Sequence, residues 1–367
     1  MLIDLHVPIL LCFHRRNGKI PAPRRGNEIY RCNCVTRIDR PGGLSYRRVT
    51  MASMHARVAA AYQRIRPLVR ETPVEESAAL ADRSGATVLL KLEHLQHTGS
   101  FKFRGASHKI ALLTAEQAAR GVVAASNGNH GLGVAAAARA RSIHAEIFVS
   151  SSVSPAKARR IESLGARIRT AGSDPLSAEL AARHAAESSG RVFISPYNDL
   201  DVVAGQGTIA IELHRQAPRL DAVFAAVGGG GLIAGIGAVL KSVSPTTQII
   251  GCWPENSPVL YRCIQAGQVI DVPEKPTLSE STSGGLEPHS VTLELCRNVI
   301  DRAIFVSEDE ILAAMRLVLE AEHWVIEGAA ALAVAAFCQD ARTWAGKTVA
   351  IVLCGRNVSP EVWRRVV

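Results

Sequence analysis

In the stretch "TGSFKFRGA" (98–106), Lys102 stands between Phe101 and Phe103, after a Gly-Ser turn and at the start of a helix-like segment. A lysine at a helix start ordinarily lays its stem on the surface and keeps its ammonium in water. Aromatic flanks raise the alternative of an amine held in an apolar pocket, where burial disfavours charge and leaves a neutral nucleophile. Two further stretches have the chemistry of anion cradles. In "DAVFAAVGGGGLIAGIGAVL" a strand-like run enters Gly228, Gly229, Gly230 and Gly231 and a helix follows at once. Four glycines free the backbone N–H groups to curl around an anion, and a helix N-terminus adds partial positive charge. A tight turn alone needs one or two. In "GVVAASNGNHGLGVAAAA" another strand-like run ends in Ser126, Asn127, Gly128, Asn129 and His130. Hydroxyl, amide and imidazole groups beside free N–H groups suit a carboxylate, whereas ordinary helix capping uses a single such residue.

A third loop follows "AIVLCGRNVSP", where a last strand ends at Cys354 before Gly355 and Asn357. A strand-end cysteine by itself reads as a small buried hydrophobe. The glycine loop lacks the GK[ST] of a Walker loop but fits G-x-G-x-x-A through Gly229, Gly231 and Ala234, with Glu255 near the end of the next strand. An NAD-dependent dehydrogenase therefore stays open. Taken together, a phosphate cradle, a carboxylate cradle and a lysine in an apolar turn are what pyridoxal phosphate chemistry on an amino acid requires. The lysine forms a Schiff base with the cofactor aldehyde, the glycine loop holds the phosphate, and the second loop holds the substrate carboxylate.

The elements that must position these loops are legible as periodicity. Strand-like runs fall at 87–92, 121–126, 145–150, 166–171, 191–196, 221–227, 247–253 and 348–354, separated by Ala-rich helical segments. Strand and helix alternating at this spacing predict a parallel α/β architecture, with ligands at the carboxyl ends of the strands.

Composition narrows the function classes. Residues 1–50 carry 10 Lys+Arg and 3 Asp+Glu, so most of the formal net charge of +9 lies there and the remainder is nearly neutral. Basic residues in that remainder form no stripe with interleaved aromatics, which excludes nucleic acid as the main partner. No apolar run reaches the ~18 residues of a membrane span. The body cysteines, Cys252, Cys263, Cys296, Cys338 and Cys354, form no CxxC and no zinc spacing, as expected of reduced thiols in a cytoplasmic protein. Residues 1–54 are expected to be either a disordered leader or translated upstream sequence before a start at Met51 or Met54.

From about residue 60 to 360 the sequence resembles the fold-type II pyridoxal-phosphate enzymes, specifically the threonine dehydratase and serine racemase group. "SFKFRGA", "SNGNHG", "GGGGLIAG" and "LCGRN" match that group's lysine motif, asparagine loop, phosphate loop and closing strand, in its order. The stretch from Gly251 to Pro288 is similar to the dehydratase-like branch encoded with hydroxyectoine utilisation genes. The resemblance implies the tryptophan synthase β-like fold: a large cofactor domain from 55–120 and 199–367, and a small substrate-closing domain from 121–198. It implies Lys102 as the Schiff-base lysine, Phe101 beside the ring, Asn129 on the cofactor's phenolic oxygen and Gly228, Gly229, Gly230 and Gly231 on the phosphate. Glu327 would lie near the ring, and Cys354 would face the pyridine nitrogen. Ser126, Asn127, Gly128 and His130 would line the substrate carboxylate side, with Arg356, where the group commonly has glycine, reaching toward an acidic or polar substrate group.

The activity so implied is an ammonia-lyase that β-eliminates water from a hydroxy amino acid such as L-threonine or L-serine, in a homodimer. The alternatives are a serine racemase or a β-replacement enzyme. Departures weigh against the racemase. Asn127 occupies the place of the second acid–base serine, and Trp253 rather than glutamate precedes Pro254, so no metal is expected there. Ser281 stands where much of the group has glycine.

Overall fold

β-Branched runs flanked by Ala-rich helices pair here into two sheets, and the sheets meet where the motif loops emerge. The computed structural model describes residues 50–367, so the expectations for residues 1–49 lie outside the described residues. Residues 51–54, counted above with the leader, belong instead to the helix Met51–Ile65. Thr50 caps that helix with its side chain, and Met54 is fully buried in the core.

Ten strands are present: β1 (Val74–Glu76), β2 (Thr87–Lys91), β3 (Val122–Ala125), β4 (Ala145–Val149), β5 (Arg167–Thr170), β6 (Val192–Phe193), β7 (Ala222–Ala226), β8 (Gln248–Pro254), β9 (Arg302–Val306) and β10 (Thr348–Val352). One sheet has the order β1-β2-β10-β7-β8-β9 and the other β5-β4-β3-β6. All pairings are parallel except that of β1 with β2. Parallel strands covered on both faces need continuous apolar runs, and β3, β4 and β7 are buried at every position. All eight strand-like runs of the sequence become strands. Two strands lie outside those runs: β1, a three-residue polar edge, and β9, an edge strand paired on one side only.

The six-stranded sheet holds the larger core, around Phe224, Trp253, Phe337 and Trp344. The helix Gly328–Gln339 is buried along nearly its whole length, because alanines let it sit directly on the sheet. The second core is built on β3 and β4 but also takes Phe103, Ala106 and Ile110 from the helix Lys102–Ala111. That helix therefore packs on both units. Its other face meets the helix Leu200–Gln216 at a glycine pair, where a Cβ on Gly205 would lie 2.6 Å from Gly105 Cα.

The same two helices are pinned by charge. Arg104 is fully buried and forks onto Glu93 (2.7 and 2.8 Å) and Glu212 (2.6 and 2.8 Å). Lys91, on β2, closes the cluster with 2.8 Å to Glu212 and 2.7 Å to the Thr72 carbonyl. Two cations face two carboxylates, and the cluster is neutral as a whole. Removing one member leaves an uncompensated buried charge, so Arg104→Met is expected to cost about 3–5 kcal/mol of stability, measured by urea unfolding.

Candidate active site

Lys102 opens its helix directly beside the end of β10. The Phe101 N–H donates to the Cys354 carbonyl (3.1 Å), the Arg356 N–H to the Gly99 carbonyl (2.9 Å), and Ser100 bridges Gly355. The lysine turn is thus zipped to the closing strand. From it the Lys102 amine reaches across to donate to the Pro196 carbonyl at 2.9 Å, beyond the end of β6, with Nζ 5.2 Å from the Phe101 ring centre. Burial pulls its pKa down to about 8. About a tenth of such an amine is neutral at pH 7, against a few parts in ten thousand for an exposed lysine. The amine of the motif is therefore neutral far more often than that of a solvated lysine.

The glycine loop lies in the same cleft. Gly230 adopts φ +86°, a left-handed turn that places it at the head of the helix Gly231–Val243, and no side chain caps that helix. The loop carbonyls are turned back: Thr292 Oγ1 donates to the Gly229 carbonyl (2.6 Å) and Cys296 Sγ to that of Gly230 (3.5 Å). The amides stay free for a ligand. Tyr197 and Thr282 press on the loop from either side, for a Cβ on Gly229 would fall 2.4 Å from the Tyr197 ring and one on Gly228 2.8 Å from Thr282. These residues, with Phe101, Lys102, Ser281, Ala329 and Cys354, line one cleft. Burial raises the Cys354 thiol well above its ordinary pKa, so a neutral S–H faces the cleft.

The asparagine loop divides its side chains. Asn129, the first residue of its helix, donates to both oxygens of Glu327 (2.7 and 3.0 Å) and to Ser281 Oγ (3.1 Å), while its own oxygen accepts from Asn357 (2.5 Å). Glu327 further accepts from Ser281 Oγ and the Asn357 N–H, each at 2.9 Å. A Cβ on Gly355 would sit 2.7 Å from that carboxylate, so no other residue fits there. Asn127 is committed at both ends to Ser150, donating to its hydroxyl (2.6 Å) and accepting from its N–H (2.9 Å). Ser126 Oγ accepts from the Gly128 N–H (3.0 Å), and beside Gly128 a Cβ would meet nothing within 4 Å. His130 Nε2 donates to the Ile194 carbonyl (2.8 Å); burial and the nearby Lys102 depress its pKa to about 3, and its buried Nδ1 is left as an unpartnered acceptor. Arg356 is exposed and stacked over Gly99, and burial, then the nearby Arg356 charge, lower the Arg160 pKa; among the described residues neither guanidinium forms an ion pair.

Sequence reasoning missed Tyr197, Thr282 and the side chain of Asn357. Tyr197 was open to discovery, since "SPYND" follows a strand end as the other loops do. Thr282 lies in an irregular segment with no periodic signal.

A buried amine of lowered pKa beside uncapped helix amides is a donor set that fits a phosphorylated aldehyde. The comparisons agree. The family model "Pyridoxal-phosphate dependent enzyme" matches residues 65–355. The chain is 38% identical over 307 residues to the L-threonine ammonia-lyase of Thermotoga maritima, covering 84% of this chain and 76% of that one. It is 36% identical to a putative threonine dehydratase of Sinorhizobium fredii, covering 84% and 93%. The structure of maize serine racemase superposes with a TM-score of 0.79 at 30% identity, covering 84% of this chain and 95% of that one. This chain belongs to the pyridoxal-phosphate dependent enzyme family. Its cofactor is pyridoxal phosphate, and the dinucleotide alternative, which gave Lys102 no role, falls.

Because Gly229 has no room for a side chain, Gly229→Ala should weaken pyridoxal phosphate binding about tenfold or more, a loss of roughly 1.4 kcal/mol. Absorbance titration of the apoprotein checks this, with circular dichroism expected unchanged.

Proposed function

We propose that this protein is an ammonia-lyase that β-eliminates water from a hydroxy amino acid such as L-threonine or L-serine, releasing a 2-oxoacid and ammonia. The observation that carries the reading is the Lys102 amine, largely desolvated and sharing one cleft with the glycine loop. Relatives named as threonine ammonia-lyase and dehydratase support the reaction class. When bound, pyridoxal phosphate supplies an amine-reactive carbonyl and a ring that withdraws electrons from the substrate's Cα. Lys102 is the amine that takes the cofactor, and once freed it is the base that removes the Cα proton. Gly228 to Gly231 hold the phosphate, Phe101 flanks the ring, and Asn129 with Glu327 orients its polar edge. Cys354 would offer a neutral thiol to the ring nitrogen; unlike a carboxylate it could not hold that nitrogen protonated, which would temper the ring's electron withdrawal.

Ser126, Gly128 and the loop amides take the substrate carboxylate. Asn127 supports them through Ser150, and that commitment argues against racemisation, which needs an acid–base group on the second face of Cα. His130 shapes the same wall as a neutral imidazole, and Arg356 takes polar substrate groups at the mouth. The four-stranded unit, 121–198, closes over the substrate held by 55–120 and 199–367. On resemblance, the enzyme acts as a cytoplasmic homodimer in the hydroxyectoine-utilisation branch. Among the described residues no helix is long and apolar enough to cross a membrane.

Purified protein is expected to be yellow and to release 2-oxobutanoate from L-threonine, whereas Lys102→Ala loses the visible band and at least ~10³-fold of the turnover. A colourless wild type that cannot be reconstituted with pyridoxal phosphate overturns the reading. Only the unprotonated amine attacks the cofactor. The rate of capture by apoprotein, followed by stopped-flow absorbance, should therefore rise with pH and level off above about 8, rather than continue rising toward the range of an exposed lysine.

A further inference from the structure

The supports of the glycine loop lead back to one buried carboxylate that has no part in the chemistry above. Thr292 and Cys296, which turn back the Gly229 and Gly230 carbonyls, both lie on the helix Val291–Val299. Ser290 precedes that helix without capping it by its side chain; the Val291 N–H donates instead to Asn198 Oδ1 (2.8 Å). Asn198 Nδ2 donates to the buried Glu287 carboxylate. An ionised carboxylate only accepts, so Glu287 fixes which end of the Asn198 amide faces the helix. Glu287 also touches the loop's other support, for its backbone N–H donates to the hydroxyl of Tyr197 (2.9 Å), whose ring lies against Gly229. The carboxylate is gripped in turn by Arg183, whose Nε donates to Oε1 (2.5 Å) and Nη2 to Oε2. Arg183 belongs to the helix Pro175–Ser189, whose Ala182 and Ala186 pack on Val123, Ala125 and Phe148 of the four-stranded unit, and its guanidinium lies 4.4 Å from the Phe193 ring centre. Leu286, next to Glu287, belongs to the core of the six-stranded sheet. One ion pair thus joins the two units at the supports of the loop.

We propose that Glu287 is a positioning residue for the phosphate cradle, acting through Asn198 and the helix Val291–Val299 and held to that task by Arg183 of the four-stranded unit. This rests on the reading of Gly228 to Gly231 as the phosphate site. While the carboxylate is in place, the Asn198 amide has one orientation and its oxygen stays on the Val291 N–H. The helix then keeps Thr292 and Cys296 on the loop carbonyls, and the loop amides stay aimed at the anion. A carboxamide in place of the carboxylate both donates and accepts, so the Asn198 amide is free to turn over and bring its nitrogen against the Val291 N–H, where two donors meet. Amides that are already aimed bind an anion without a further cost of ordering, and that advantage is what the relay maintains.

The test titrates apoprotein with pyridoxal phosphate and with pyridoxal, followed by absorbance, since the two share the reactive aldehyde and differ only in the phosphate. Glu287→Gln is expected to weaken pyridoxal phosphate about tenfold, as loss of a hydrogen bond to a charged group does, and to leave pyridoxal within about twofold of wild type. Asn198→Ala leaves the ion pair in place and should give the same phosphate-selective loss, which decides the matter if Glu287→Gln does not fold. The double variant should lose no more than either single one, because the two residues act in series. Arg183→Met should show the same selectivity although Arg183 contacts no residue of the loop. Equal losses on both ligands, or no loss on either, overturn the inference while leaving the cradle reading intact. A wild type that binds the two ligands equally overturns the cradle reading and the inference with it.

Discussion

The buried ion cluster around Arg104 fixes where the chemistry happens. Two helical positions separate Arg104 from Lys102, so whatever holds the guanidinium also holds the amine. Desolvating four charges is costly, and the cost is offset only when every donor and acceptor meets its partner. Glu93 follows β2 and Glu212 lies on the helix Leu200–Gln216, so the cluster ties the lysine helix to the six-stranded sheet from two directions. The helix Leu200–Gln216 packs in turn on the helix headed by the glycine loop; a Cβ on Gly235 would lie 2.5 Å from the Val203 carbonyl. Lysine and phosphate cradle are thus referred to one rigid frame, as a reaction that depends on their separation requires.

A second network, softer than the first, spans the two sheets. Asn129 comes from the four-stranded unit and Glu327, Ser281 and Asn357 from the six-stranded one, yet they share one set of hydrogen bonds. Arg160 adds a bond to Asn357, and Lys157 an ion pair with Glu280 (2.6 Å), both from the helix Pro155–Glu162. The exposed members of this set contribute little stability individually. Their effect is geometric, bringing the rim of one unit against the cleft of the other.

Much of this was legible in the sequence because the informative residues are anomalous where they stand. Four consecutive glycines, five polar residues at a strand end and a lysine between phenylalanines each exceed what a turn or a cap needs. The strands of both sheets were legible because burial on two faces demands an apolar run. What stayed hidden depends on partners far along the chain. Glu287 reads as one more solvated charge, and only the fold brings Arg183 to it, 104 positions away. Arg104 reads the same way until Glu93 and Glu212 surround it. Asn127 looks like a ligand until Ser150 takes both ends of its amide. Edge strand β1 escaped because it is three residues long and two of them are glutamates.

The resting partner of Lys102 has a mechanical consequence. Its amine is clasped to the Pro196 carbonyl, in the segment where the chain leaves β6 and returns to the six-stranded sheet. One nitrogen cannot keep that clasp and form a new covalent bond in the same direction. A ligand that draws the amine further into the cleft therefore gives up this tie to the return crossing of the four-stranded unit.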